Sequence, residues 1–388
     1  MAFERAKVLF VSGEYPPMVG GVGRFTAELA QALQAGGAQI AVLTDAQVPS
    51  SAEGDGVRVL GRTGGWGWGL LRDIPACARA VGAYWVHVQY QTAAYGMHPA
   101  INALPRFLRR HGLHSAWTYH DLRVPYLFPK AGSRLRSWVT RLPLRAAEAV
   151  VVTNQSDWES VRAQTRPGQL HRIPIGSDIK SVQFSDGERR ERRSMRGYGG
   201  DQIVLGYFGF LNASKGGLTL VETLDALVRD GRDAHLLMIG ERVGASDETN
   251  FQYLQKVEAS IAERGLDGRV QWTGLQSDSE VAADFNAIDM LVMPYEDGMS
   301  LRRSTLTAAL ANGCAIVTTH PQVPTPELEA DSDLLLVPAR DPGAAATAVT
   351  RIAEDADLAA NLRANARQAA RQFSWEVIAA RHLEIYRG

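Results

Sequence analysis

Cysteine is scarce. Cys77 and Cys314 are the only two among 388 residues, which excludes a disulfide framework and a cysteine-based zinc cluster and fits a reducing compartment. Long apolar runs are missing as well. The run inside "MAFERAKVLFVSGEY" extends about five residues, too short for a signal-peptide core or a membrane span. No later stretch approaches the ~18 uninterrupted apolar residues of a spanning helix. An excess of either charge is also lacking: 41 Lys and Arg stand against 42 Asp and Glu, a formal net charge of −1. Nothing global therefore draws the chain to nucleic acid or anionic lipid. A cytoplasmic, soluble protein is expected, with no nucleic-acid partner. Its active site could still lie at the inner face of a membrane, because local charge can differ from the total. There is no Gly-x-Ser-x-Gly, no P-loop and no His/Asp cluster with metal-ligand spacing. His87 and His98 read as structural histidines.

What is present is an alternation of short β-branched runs with longer amphipathic ones. Strands are predicted at Lys7–Ser12, Gln39–Thr44, Trp85–Tyr90, Ser115–His120 and Ala149–Thr153 in the first half. In the second half they are predicted at Ile203–Gly209, His235–Gly240, Val270–Gly274, Met290–Pro294, Ala315–Thr319 and Leu334–Val337. Helical patterns lie between them, as at Gly23–Gln34, Gly217–Arg229 and Thr305–Ala311. Strands apolar on both faces and separated by helices imply parallel sheets covered on both sides, the doubly wound α/β class.

The alternation restarts after "SDIKSVQFSDGERRERRSMRGYGGDQ" (Ser177–Gln202), a charged, Gly-rich interval that reads as a linker. Two Rossmann-like domains result, at 1–178 and 200–365. Ligands in such sheets bind beyond the carboxyl ends of the strands, so two facing sheets predict a central cleft.

Three loops at strand ends could hold an anion. "GEYPPMVGGVGRF" (Gly13–Phe25) follows the first strand, and Gly20 and Gly21 would let backbone N–H groups approach a phosphate at the next helix. A tight turn needing glycine accounts for it equally. "FGFLNASKGG" opens the second domain, with Lys215 just before a helix start, where a cation opposes the helix dipole unless it meets an anion. In "YEDGMSLRRSTLTAALANGCAIVTT" (Tyr295–Thr319), Arg302 and Arg303 stand where a helix is about to begin. With the Ser304 and Thr305 hydroxyls they would satisfy a diphosphate. The alternative is that the arginines pair with Glu296 and Asp297. His120 and Asp121 end a strand on the ligand-binding edge, and read equally as a satisfied histidine and a helix cap.

One region stands out by local charge. Ile101–Val150 holds nine Lys or Arg and two acids. Within it, Lys130, Arg134, Arg136, Arg141 and Arg145 interleave with Leu135, Trp138, Val139, Leu142 and Leu144. That composition suits an anionic membrane surface or a phosphorylated acceptor. It also suits a surface helix with its apolar side in the core. Pro143 limits the helix to about two turns. "TGGWGWGLL" (Thr63–Leu71) reads as an aromatic loop over an acceptor or as a packed turn.

Together these residues resemble a family 4 retaining glycosyltransferase of the GT-B fold. The resemblance rests on the Gly-Gly loop, His120–Asp121, "RIPIGSDI" (Arg172–Ile179), Lys215–Gly216, "HLLMIGE", "VQWTG" and "ALANGCAIVTT". It extends to "FSWEVIAARHLEIY", similar to the family's closing helix, which implies that 372–388 crosses back onto the first domain. Two departures mark a branch with Asp-Gly-x-Ser-x-Arg-Arg. Phe210 stands where the family has a diphosphate-binding arginine, and its paired glutamates are replaced by Ser300 and Ala308. Arg302 or Arg303 is expected to supply the missing cation.

The resemblance implies transfer of a sugar, in the hexosyltransferase class, from a nucleotide-diphosphate donor, expected to be UDP-linked, with retention and no metal or other cofactor. It implies a glycan or lipid-linked acceptor, and peripheral membrane contact through Lys130–Arg145. His120, Lys215 and Arg303 are the expected catalytic groups. Donor contacts are expected at Gly20, Gly21, Phe210, Lys215, Gly216, Glu241, Gly274, Asp297, Ser300, Arg302, Arg303, Ser304 and Thr305. Acceptor contacts are expected at Tyr15, His120, Asp121, Arg134 and Trp138. Two alternatives stay open: a non-catalytic partner of another transferase, and a GT-B nucleotide-sugar epimerase or phosphorylase.

Overall fold

The computed structural model describes residues 5–18, 20–50, 56–62, 64–122, 124, 132–242 and 248–387. Lys130 and Thr63, which the sequence singled out, lie outside them. The chain forms two compact units, Met1–Gly176 with Ser374–Gly388, and Ser177–Phe373.

The first unit carries a sheet of seven parallel strands: β1 (Lys7–Ser12), β2 (Gln39–Asp45), β3 (Arg58–Arg62), β4 (Trp85–Tyr90), β5 (His114–Tyr119), β6 (Ala149–Val152) and β7 (Leu170–Arg172), in the order β3-β2-β1-β4-β5-β6-β7. Alternation along β1 divides its side chains. Leu9 and Val11 enter one core cluster and Val8 and Phe10 the other, as the strand period of two requires when both faces are covered. Because all seven strands are parallel, the loops that follow them lie on one edge of the sheet, and the order turns between β1 and β4.

The helix Trp375–Arg387 belongs to this unit. The Trp85 indole donates to the Tyr386 carbonyl at 3.0 Å, and the Trp375 ring meets Phe25 at 5.4 Å. A Cβ on Gly176 would lie 2.7 Å from the Trp375 ring, so only glycine passes there.

The second unit has six parallel strands: β8 (Ile203–Phe208), β9 (Ala234–Ile239), β10 (Val270–Trp272), β11 (Met290–Met293), β12 (Ile316–Thr319) and β13 (Leu335–Val337), in the order β10-β9-β8-β11-β12-β13. Leu236 and Met238 of β9 face one cluster, Leu237 and Ile239 the other. Both units are thus doubly wound α/β domains.

The interval Ser177–Gln202, expected as a linker, instead contains the helix Asp186–Met195, started by a capping box between Ser185 and Glu188. Arg192 and Arg196 bind Asp284 at 2.8 and 2.6 Å, and Arg189 and Arg193 bind Asp289. The Asp284 side chain is fully buried. Removing it would leave arginines unpaired in a dry setting, at a cost of about 3–5 kcal/mol. The helix is therefore part of the second unit. No helix among the described residues is long and apolar enough to cross a membrane.

Candidate functional site

The second unit gathers two of the three expected anion-binding loops. The loop after β8 turns through Gly209 (φ +101°) and Gly216 (φ +70°). A Cβ on Gly216 would lie 1.9 Å from the Pro294 carbonyl oxygen, so this glycine lets the loop dock against the end of β11. Lys215 closes the loop, and a Cβ on Gly209 would fall 3.5 Å from the Lys215 Nζ and 3.1 Å from the Thr305 methyl. Lys215 and Thr305 therefore flank the same open position. Burial, and then the neighbouring Arg303 guanidinium, pull Lys215 down to about 8. Among the described residues no carboxylate or hydrogen-bond acceptor faces its ammonium.

The helix Ser304–Ala311 begins where the sequence placed it. No side chain caps it, and no acid stands in its first turn. Arg303 is its N-cap, in extended conformation. Its Nη2 donates to both Asp297 carboxylate oxygens at 2.6 and 2.7 Å, and its Nη1 to the Gly298 carbonyl at 2.9 Å. The guanidinium also covers the Tyr295 ring, 4.1 Å from its centre. The Tyr295 hydroxyl meets Thr305 Oγ1 at 2.9 Å.

Arg302 is exposed. The alternative in which the arginines pair with the two acids is met in part: Asp297 is bound by Arg303 at 2.6 Å, while Glu296 is bound by Arg340 at 2.7 Å. Gly298 (φ +79°) sets this outcome, since its reversal turns Asp297 back over the helix start. Ser300 Oγ accepts from the Arg302 N–H at 3.3 Å.

Glu241 and Gly274 sit at the ends of β9 and β10. Gly240 bridges Gly274, and its N–H donates to Thr273 Oγ1 at 2.9 Å. The Arg242 carbonyl accepts from the Leu211 N–H at 3.0 Å, tying this edge to the Lys215 loop. Two large apolar side chains are exposed there, Phe210 at 42% and Leu275 at 81%.

In the first unit the helix Gly21–Ala35 does not offer the open anion site expected of Gly20 and Gly21. Glu14 Oε1 already accepts from the Val22 and Gly23 N–H groups at 3.0 and 3.1 Å. Gly20 serves this cap, because a Cβ there would lie 2.4 Å from the Glu14 carboxyl group. The sequence signal was an acid upstream of a Gly-Gly helix start.

His120 follows β5, with Nε2 2.9 Å from the Gln89 side-chain oxygen and its ring edge-on to Phe25 at 4.8 Å. Burial, reinforced by His382, pulls it down to about 3, so it is neutral near pH 7. Gln89 is fully buried, and its amide nitrogen has no hydrogen-bond partner among the described residues. Asp121 is half-buried beside it. Tyr15, expected on the acceptor side, is instead a core side chain at 7% exposure.

The basic stretch forms the helix Gly132–Thr140, then a short turn of helix at Pro143–Ala146. Its apolar residues divide: Leu135 is 51% and Trp138 55% exposed, while Leu144 is fully buried in the core. Arg134, Trp138, Arg141 and Arg145 line a cavity of about 540 Å³ with Arg106 and Val124. The reading as a surface helix with a buried apolar side is therefore met at Leu144 and corrected at Leu135 and Trp138. Trp68 is also exposed, with its ring 5.5 Å from His98, whereas Trp66 is packed on Tyr95. Among the described residues no group of three or more His, Cys, Asp or Glu is placed to hold a metal ion.

Known proteins similar to this chain are glycosyltransferases. Residues 202–355 match the family "Glycosyl transferases group 1", and residues 20–176 match "Glycosyl transferase 4-like domain". An alpha-D-kanosaminyltransferase of Streptomyces kanamyceticus is 27% identical over 266 residues, 64% of each chain. A phosphatidyl-myo-inositol mannosyltransferase of Mycolicibacterium smegmatis is 28% identical over 218 residues, 55% of this chain and 50% of that protein. The chain thus spans between half and just under two thirds of these curated relatives. The crystal structure of Anabaena HepE in complex with UDP and glucose superposes with a TM-score of 0.74 at 18% identity, over 98% of this chain and 99% of that one. The fold is GT-B.

Proposed function

We propose that this chain is a glycosyltransferase of the family 4 type, which moves a sugar from a nucleotide-diphosphate donor to a glycan or lipid-linked acceptor. One observation carries the reading: the half-buried Lys215 ammonium, beside Arg303 and an uncapped helix, faces no carboxylate among the described residues. Two cations and a helix N-terminus around one opening demand an anion with several charges, and a diphosphate meets that demand. The Anabaena relative is named as a complex with UDP and glucose, which supports a UDP-linked donor here.

In this reading catalysis is stabilisation of charge that develops on the leaving diphosphate. Lys215 and Arg303 do this through Nζ and the guanidinium, with the Ser304 and Thr305 hydroxyls and the first N–H groups of their helix. Their charge takes the role a divalent metal would have, so turnover survives EDTA. Retention follows the family's usual course, with no protein nucleophile. Neutral His120, held by Gln89, orients the reacting groups and carries no charge.

The acceptor belongs to the first domain. The exposed Trp138 and Leu135 among Arg106, Arg134, Arg141 and Arg145 suit an anionic or lipid-linked acceptor, and with it peripheral contact at the inner face of a membrane. A non-catalytic partner or an epimerase fits less well. The first has no use for a poised lysine beside an arginine, and the second needs acids that Arg340 and Arg303 already engage. The test is a panel of nucleotide sugars read by thermal shift and by slow donor hydrolysis. A UDP-sugar should raise the melting temperature and be hydrolysed. Stabilisation without hydrolysis would favour the non-catalytic partner, and no response to any donor would remove the reading.

A further inference from the structure

Asp297 is the acid that the expected donor site could do without. It adds negative charge where a diphosphate is to bind, and it occupies the guanidinium edge that the phosphate would use. Both its oxygens lie on one nitrogen of Arg303, at 2.6 and 2.7 Å. The Asp297 side chain is 50% exposed and that of Arg303 is 19% exposed. Arg303 does not depend on Asp297 for its place, because its other terminal nitrogen is fixed on the Gly298 carbonyl and its face on the Tyr295 ring. Asp297 therefore contributes charge more than scaffolding. Its neighbour Glu296 cannot share that role, being held by Arg340.

We propose that Asp297 is a resident counter-ion, displaced from Arg303 when a nucleoside diphosphate binds and returning to it when the nucleotide leaves. The inference rests on the diphosphate reading of this site. In the empty site the carboxylate balances Arg303, whose charge would otherwise repel Lys215 more strongly. In the loaded site the phosphates do so, and Asp297 turns out to solvent, where half of it already lies. Exchange of one anion for another on the same guanidinium lowers the net affinity for the diphosphate and so speeds its release as product. Asp297 acts through Arg303 and is in that sense a positioning residue.

The test is Asp297→Asn, which keeps the shape and an amide oxygen for Arg303 but removes the charge. UDP and inorganic pyrophosphate are titrated into both proteins by calorimetry at fixed ionic strength. The exchange predicts that both probes bind the variant about fivefold more tightly, the scale set by a partly exposed ion pair. KM for the donor should fall, and kcat should fall with it where release limits turnover. In an Arg303→Gln background the same substitution should have no effect, since the shared partner is gone. A scaffold would behave oppositely: its loss would weaken both probes. Unchanged or weaker binding in a folded variant overturns the role of Asp297 alone. A parent protein that binds neither probe overturns the diphosphate reading and the exchange with it. Should Asp297→Asn fail to fold, Asp297→Ser carries the same expectation.

Discussion

The guanidinium of Arg303 lies 4.1 Å from the centre of the Tyr295 ring, and the hydroxyl of that ring meets Thr305. Tyr295 thus holds both a cation and a hydroxyl of the helix start from beneath. Its ring is 1% exposed, and Thr319 Oγ1 donates to its carbonyl at 2.7 Å. Tyr295→Leu keeps most of the volume but removes the ring face and the hydroxyl. A desolvated cation–π contact and one hydrogen bond together predict about 2–3 kcal/mol of lost UDP binding. Calorimetry checks it, and a loss confined to stability would show that the ring serves only the core.

Lys215 should give the donor site a pH dependence. Burial and Arg303 pull it to about 8, so it is a cation at pH 7 and largely neutral at pH 9. Affinity for UDP should therefore fall as pH rises through 8, by at most about tenfold per unit. Lys215→Arg should bind with no such fall. Lys215→Ala should lose about 1.5–3 kcal/mol at pH 7 and be flat in pH. Titrations at pH 7, 8 and 9 distinguish these outcomes, and a flat parent curve would take Lys215 out of the site.

The parts of this molecule that the sequence revealed are those governed by local pattern. β8, β9, β11 and β12 are apolar on both faces and needed no partner to be seen. β3 and β7 were missed because "RVLGR" carries arginines at both ends and a glycine, and "LHR" is three half-buried residues. The helix Asp186–Met195 passed for a linker because Arg189, Arg192 and Arg193 within it, and Arg196 at its end, are matched by Asp284 and Asp289, about a hundred residues away in the chain. At the site, the helix start at Ser304 was legible from the change of polar to apolar residues. Which acid meets which arginine was not, because it turns on the backbone reversal at Gly298. The cap by Glu14 was hidden for a similar reason, as it depends on how the proline loop folds back.

Acid should weaken the first domain. His87, His120 and His382 are each lowered, chiefly by burial, and His382 lies at about 4. Its Nδ1–H donates to the Ile378 carbonyl at 2.8 Å, while Nε2 has no hydrogen-bond partner among the described residues. Arg381 and His171 are the charged or titratable groups that act on it, and both disfavour a proton. The folded state therefore binds fewer protons than the unfolded chain below about pH 6.5. Stability is full above that value and is lost as pH falls toward 4. His382 alone accounts for about 2 kcal/mol between pH 7 and pH 5. Urea unfolding at both values checks it, with His382→Phe expected to reduce the loss. An equal loss in the variant would assign it to other groups.

The basic helix Gly132–Thr140 should bind anionic lipid. Its exposed Leu135 and Trp138 offer an apolar contact, and Arg134, Arg141 and Arg145 beside them offer the charge. Cosedimentation with vesicles containing phosphatidylglycerol should fall steeply with added salt, since exposed charges are screened over about 10 Å at 0.1 M. Trp138→Ala should weaken the salt-resistant part, and Arg134→Glu with Arg141→Glu the salt-sensitive part. Equal binding to neutral vesicles would show that charge plays no part.

The exchange of a cation between positions 210 and 303 can be tested directly. Phe210 is 42% exposed on the loop after β8, the loop that also carries Lys215. Its backbone carbonyl accepts from the Tyr207 hydroxyl at 3.3 Å, and Tyr207 in turn lies within the electrostatic reach of Arg303. A side chain at 210 thus starts from the same neighbourhood as the guanidinium it would replace. If Arg303 supplies the charge that position 210 lacks, Arg303→Ala should lower kcat/KM by an amount equivalent to about 3 kcal/mol or more. Arg302→Ala should do much less, because Arg302 lies exposed in the turn before the helix, whereas Arg303 is the helix N-cap. Phe210→Arg added to Arg303→Ala should then recover part of the activity, whereas in the parent it should add little, the phosphate already being met. The double-mutant cycle reads that difference as coupling. Strictly additive effects would mean that the two positions act on different atoms of the donor. An Arg303→Ala enzyme as fast as its parent would leave the diphosphate to Lys215 and the helix N–H groups alone.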